Sequence, residues 1–297
     1  MTDQLTPPAP PAPPAPPTGP QNGPEQGPGA VPRPTPQSAT VIAILTACLG
    51  GVIALGLVGA SAISTIASAS TRTSPQFADV KGIDEIDVDV SAGSFRIEYA
   101  DVDAASLDVT GGWAGSGWTL ERDEDELVVS SPDWAFGGGW LFGRDVRATL
   151  TLPRDLEDTV LDAQFTVSAG DLDASGRYGE LEVELGAGAV TVSGEAREVS
   201  VDISAGRADL DLDGVQSADL SLSAGQFDGR FTGDRPRLVE VDVSAGSFDL
   251  AMPEGDYDVT PDVSAGRLDN RLSTSASASN RVAVQLSAGA VTLRNAD

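Results

Sequence analysis

The chain has 297 residues, a formal net charge of −27, a single cysteine (Cys48) and no histidine. A surface this acidic repels nucleic acid and anionic lipid headgroups, so no nucleic-acid partner is expected. Without histidine, Ser-His-Asp and Cys-His catalysis and histidine-based metal sites are excluded. One cysteine cannot form an internal disulfide.

Residues 1–38 hold 14 of the 20 prolines. Such a tract lacks backbone donors and offers little to bury, so it reads as a disordered Pro-rich tail with local polyproline II character. Its functional alternative is a docking site for a proline-recognising partner. Residues 39–69 carry no charge and read as a transmembrane helix. The apolar stretch 41–66 reaches ~39 Å as a helix, against ~30 Å of hydrocarbon, and its length and late start argue against a cleaved signal peptide. Arg33 and Arg72 flank it almost symmetrically, so charge does not set its orientation. A short tail before the anchor and a large acidic domain after it suggest a cytoplasmic N-terminus and an extracellular C-terminal domain. Residues 70–79 form a linker.

Residues 80–297 contain an internal repeat. Ser-Ala-Gly occurs at 91–93, 168–170, 204–206, 223–225, 244–246, 264–266 and 287–289, with Gly186-Ala187-Gly188 as a variant. From 168 onward the spacings are 18, 18, 19, 21, 20 and 23 residues. In each copy apolar residues alternate up to the tripeptide, as in Val241, Val243 and Ala245. They resume one residue out of step, as in Phe248 and Leu250. Such a slip would turn core side chains to solvent unless the backbone bends, and glycine permits the bend. Gly93, Gly170, Gly188, Gly206, Gly225, Gly246, Gly266 and Gly289 are therefore expected as structural corners, with the preceding alanine inside. Polar connections such as Asp211–Gly214 and Gly229–Asp234 would join the units. The pattern predicts an all-β fold, a β-solenoid or β-helix-like stack of short strands. An antiparallel β-sandwich or roll of hairpins is the alternative. Between the first two copies, 107–109, 127–129 and 146–152 read as further strands, ending in a turn at Pro153 and Asp155.

The recurrent Ser-Ala-Gly, the Leu-Thr-Leu-Pro strand end at 150–153 and the N-terminal anchor resemble the bacterial putative-adhesin family of β-strand-repeat proteins. The resemblance covers roughly residues 80–297. It implies a cell-envelope location and brings no catalytic residues.

Two further features carry possible chemistry. Asp89, Glu184, Asp202, Asp242 and Asp262 share one repeat position, and Asp173, Asp209, Asp228, Asp249 and Asp269 another. Stacking would place like charges ~4.8 Å apart. A solvated acidic face is the expected outcome, with bound Ca²⁺ the alternative. Trp113, Trp118, Trp134 and Trp140 cluster with Phe136 and Phe142. This set either caps the core or forms a contact loop for a glycan, a protein or a membrane surface. The sequence thus predicts a non-catalytic, membrane-anchored surface protein of structural or interaction type, with no cofactor and an envelope glycan or protein as partner. An envelope-stress or signalling accessory is the alternative, and a carboxylate-dependent polysaccharide-acting enzyme a weaker one.

Overall fold

Repeats of 18 to 23 residues are long enough to complete a circuit and return parallel, which a tight hairpin turn cannot do. That is what the chain does. The computed structural model describes residues 75–111, 117–132 and 146–296. The Pro-rich tail, the expected transmembrane helix and Cys48 lie outside the described residues, as do Trp113, Trp134, Phe136, Trp140 and Phe142. Among the described residues no helix is long and apolar enough to cross a membrane.

The strands are β1 (Gln76–Ala78), β2 (Glu85–Val90), β3 (Gly93–Ala100), β4 (Ala105–Thr110), β5 (Thr119–Asp123), β6 (Glu126–Ser130) and β7 (Arg147–Pro153). A 3-10 turn, Arg154–Leu156, follows where the sequence predicts a turn. Then come β8 (Val160–Ile203), β9 (Gly206–Asp213), β10 (Ser217–Leu222), β11 (Gly225–Thr232), β12 (Leu238–Val243) and β13 (Ser247–Met252). The last are β14 (Asp256–Val263), β15 (Arg267–Asn270), β16 (Ser273–Thr274), β17 (Arg281–Leu286) and β18 (Ala290–Asn295).

The described fold is all-β, a curled sheet that is parallel through the repeats. Every described pairing between strands of β2, β3 and β8 to β18 is parallel and in register, for example Leu220↔Val241 and Phe227↔Phe248. Antiparallel pairing is confined to β1–β4, β4–β7 and β5–β6, at the N-terminal end. The hairpin alternative therefore fails for the repeats.

Register turns the apolar periodicity into columns. Val201, Leu220, Val241 and Val284 align, as do Ala208, Phe227, Phe248 and Val291. All are buried, and among the described residues no polar or charged residue is buried with them. Volumes compensate along the columns. Phe227 stacks on Phe248 with centroids 4.4 Å apart, and Gly229 leaves room for that pair. A Cβ at 229 would sit 2.6 Å from Phe227 Cε1 and 2.8 Å from Leu250 Cδ1. Gly229 is thus a buried strand residue of β11, and the connection expected there begins at Gly233.

Of the eight repeat glycines, all but Gly170 have φ between +111° and +140°, and β8 runs on through Gly170 and Gly188. The alanines of the tripeptide do not fill an inner corner: Ala205, Ala224 and Ala245 are exposed. Burial ends earlier, at Ile203, Leu222 and Val243, and resumes at Ala208, Phe227 and Phe248. The repeat glycines stack directly, each after Gly93 facing the backbone of the one before it. Gly93, Gly170, Gly188, Gly206, Gly225 and Gly246 follow in chain order.

The order then reverses. Gly289 packs on Gly246, and Gly266 packs on Gly289. β17 pairs with β12 on one side and β14 on the other, while β18 lies between β13 and β15. The N-terminal end also departs from chain order, because β2 lies between β6 and β8, and β3 between β7 and β8. The outer rung β14–β15 carries Pro261, whose missing donor suits an edge strand.

Candidate functional site

Alternation sends every second side chain outward, so the outer face of each strand presents polar columns. The first is Asp202, Ser221, Asp242, Gln285 and Asp262, in register across β8, β10, β12, β17 and β14. Here the expectation of adjacent like charges is corrected in part. From Asp202 to Asp262, Ser221 and Gln285 separate the aspartates, so charges recur every second rung, ~10 Å apart. On the other side of Asp202 the bond from Ser204 N–H to Leu185 O sets Glu184 on the adjacent rung, so that pair does adjoin. Gln285 takes its place only because β17 is inserted out of chain order. Asp89 likewise stands beside Thr166, and Glu184 is half-buried.

The neighbouring column, Ser200, Asp219, Glu240, Ala283 and Thr260, contains one adjacent acidic pair. Burial pushes the Asp219 carboxyl up, helped by Glu240, Asp202 and Asp242.

On the second-strand face Asp209, Asp228 and Asp249 do stack on consecutive rungs. Neighbouring donors offset the repulsion. Gln226 Nε2 donates to Asp228 Oδ2 at 2.6 Å, and Arg294 Nε to Asp249 Oδ1 at 2.8 Å. Arg271 donates two hydrogen bonds to Asp269 Oδ2 and holds that carboxyl below its ordinary value. Arg96 pairs with Asp173 at 2.8 Å. Among the described residues no group of three or more carboxylates is arranged to hold a metal ion.

Beside the corner ridge lies a groove of about 380 Å³, whose lining includes Ser94, Arg96, Arg147, Thr149, Asp171 and Asp173. β3, β7 and β8 supply its walls. Sequence reading missed it because Arg147 and Arg96 are distant in the chain and meet only through the parallel pairing Ser94↔Arg147 and Arg96↔Thr149.

Acidic groups gather at the N-terminal end, where Glu85 aligns with Glu126 and Asp162. Asp87 stands half-buried between Val128 and Gln164. Burial, then the charges of Glu126, Asp89 and Glu85, push its carboxyl up to about 6. The folded state therefore binds more proton than the unfolded state between about pH 4 and 6. The stabilising protonated form is fully present below that window and lost as pH rises through it. Asp87→Asn is expected to raise stability at pH 7 by on the order of 1 kcal/mol, discounted for partial exposure, and to leave it unchanged near pH 4. Urea midpoints of both chains across this range test it; equal differences at both pH values would refute the assignment.

Of the aromatic set, Trp118 is described and is 3% exposed. Its ring stacks on Phe95 with centroids 6.0 Å apart and planes 5° from parallel. The Gln76 side chain fixes its backbone, with Nε2 donating to Trp118 O at 2.6 Å and Oε1 accepting from Leu120 N–H at 3.0 Å. Trp118 therefore belongs to the core at the N-terminal end and not to a contact surface.

No protein-family model and no curated protein matches the chain significantly. Solved structures do. A putative adhesin from Bacteroides fragilis is 13% identical with a TM-score of 0.47, over 74% of this chain and 95% of that one. A putative adhesin from Parabacteroides distasonis is 14% identical with a TM-score of 0.41, over 74% and 96%. A putative cell adhesion protein from Clostridium sporogenes is 11% identical with a TM-score of 0.34, over 76% and 100%.

Proposed function

We propose that the protein is a non-catalytic, adhesin-like surface protein, whose β-solenoid-like exterior domain is held at the membrane through residues 41–66. The observation that carries this reading is the column Asp202, Ser221, Asp242, Gln285 and Asp262. It lies on strands paired on both sides except at the edge rung, so its side chains are held at a fixed ~10 Å charge spacing. A preorganised, periodic face loses little entropy on binding an extended partner of matching period. Alternating carboxylate and neutral hydrogen-bonding groups suit a hydroxyl-rich or cationic envelope polymer, glycan or protein.

Cells displaying the full chain are expected to retain such a polymer, and surface protease to remove the domain and the binding together. The combined substitutions Asp202→Asn, Asp242→Asn and Asp262→Asn are expected to weaken retention at least ~10-fold, equivalent to ~1.4 kcal/mol. Unchanged retention by this variant, or survival of the domain under protease, would remove the basis of the reading.

A further inference from the structure

The reversed order of the last rungs creates a slot. Its walls are β12–β13 on one side and β14–β15 on the other, and its filling is β17–β18. All four wall strands lie earlier in the chain than the filling. β17 is bonded along its length on both sides, with Leu238–Val243 and Asp258–Val263 flanking Arg281–Leu286, while β18 is bonded along its length to β13 and over Ala290–Leu293 to β15. The seat is selective. Gly289 sits between Gly246 and Gly266, and a Cβ at 289 would come within 2.3 Å of Gly246 O. One at 266 would come within 2.4 Å of Gly289 O. A strand pair entering this slot must carry a glycine corner in this register with apolar residues matching Val282, Val284, Leu286, Val291 and Leu293. An unrelated edge strand lacks that combination; a second copy of this chain has it.

The tether to the filling is short and plain. β16 is anchored to β14 through Asp256↔Ser273 and Tyr257↔Thr274, and Asn280 is anchored by Nδ2 donating to Pro236 O at 2.7 Å. Between them run Ser275, Ala276, Ser277, Ala278 and Ser279, none of them buried. Straightened, these five residues span ~17 Å. Within them the turn is held by Ala278 N–H to Ser275 O at 3.0 Å and by local serine contacts.

We propose that residues 281–296 exchange between copies, so that β17–β18 of one chain fills the slot of a second. The exchanged and closed forms share every strand contact and differ only in the hinge and in the entropy of association. The inference concerns self-association and holds whether or not the surface-binding reading does.

The test uses full chains with Cys48→Ser, one carrying Asp242→Cys and the other, differently tagged, Gln285→Cys. Asp242 and Gln285 are register partners on the exposed face. In a chain carrying both substitutions they are expected to close as an intrachain disulfide. After mixing in mild urea, dilution from it and oxidation, the two single variants are expected to form a disulfide-linked heterodimer. While it is the minor species, its fraction should rise ~10-fold for each 10-fold rise in chain concentration. Each variant alone should give less than a tenth of that dimer. Intrachain closure of the double variant without a heterodimer above the single-variant background would overturn the proposal. Failure of the double variant to close would overturn the register on which it stands.

Discussion

Gly225→Ala is expected to cost the domain about 4 kcal/mol, while Gly214→Ala, at another glycine with positive φ, costs about 1 kcal/mol. Both glycines have dihedrals that L side chains rarely adopt, φ +129° at Gly225 and +77° at Gly214. They differ in what lies next to them. Nothing stands within 4 Å of a Cβ built at 214. One built at 225 would sit 2.1 Å from Gly206 O and 2.9 Å from Gly206 N. Relief requires the rungs to separate where Gly225 pairs with Gly206, and Gly246 rests on the other side. Strain of ~1–3 kcal/mol therefore adds to an overpacking cost of similar size. Urea unfolding followed by far-ultraviolet circular dichroism compares the two. Equal costs would show that the corners tolerate a Cβ and that the glycine column is not what sets the rung spacing.

Phe248→Ala is expected to cost about 4 kcal/mol. The ring is 1% exposed, and its plane lies 6° from that of Phe227. Removing it takes away both the buried area and a stacked pair worth ~1 kcal/mol beyond that area. The cavity has few means of closing. Gly229 has no side chain to lend, and the strands on either side are fixed by parallel pairing. Val291→Ala, in the same column, removes fewer buried atoms and should cost less. The same urea titration reads both, and a loss below ~1 kcal/mol for Phe248→Ala would mean that the core collapses around the gap.

Local signals in this chain report local facts well. The period of two, the slip at each tripeptide and the glycine at the slip were enough to place strands and corners, because each follows from backbone sterics within a few residues. Where the expectation failed, the deciding contact was distant. Ala245 continues the alternation of Val241 and Val243, yet the chain has already begun to turn and the side chain faces solvent. Gly229 looks like a connection but is glycine because Phe227 and Leu250 occupy its side-chain space. The reversal at the C-terminal end has weaker local signs. They are the 23-residue spacing before the last tripeptide and Pro261 inside a strand pattern, as befits an edge. The carboxylate column was legible as a set of equivalent positions. Its alternation was not, because Gln285 enters it through topology.

The two ends of the stack are built out of chain order, whereas Gly170 to Gly246 follow one another as the chain runs. That contrast separates two kinds of part within one domain. The ends are closures, each depending on specific segments that return from elsewhere in the sequence. The middle is modular, since each rung meets only its immediate neighbours. Gene duplication or loss of a whole unit in the middle would lengthen or shorten the protein while leaving both closures as they are. The length of the stack is in that sense an adjustable dimension, set by the number of middle rungs.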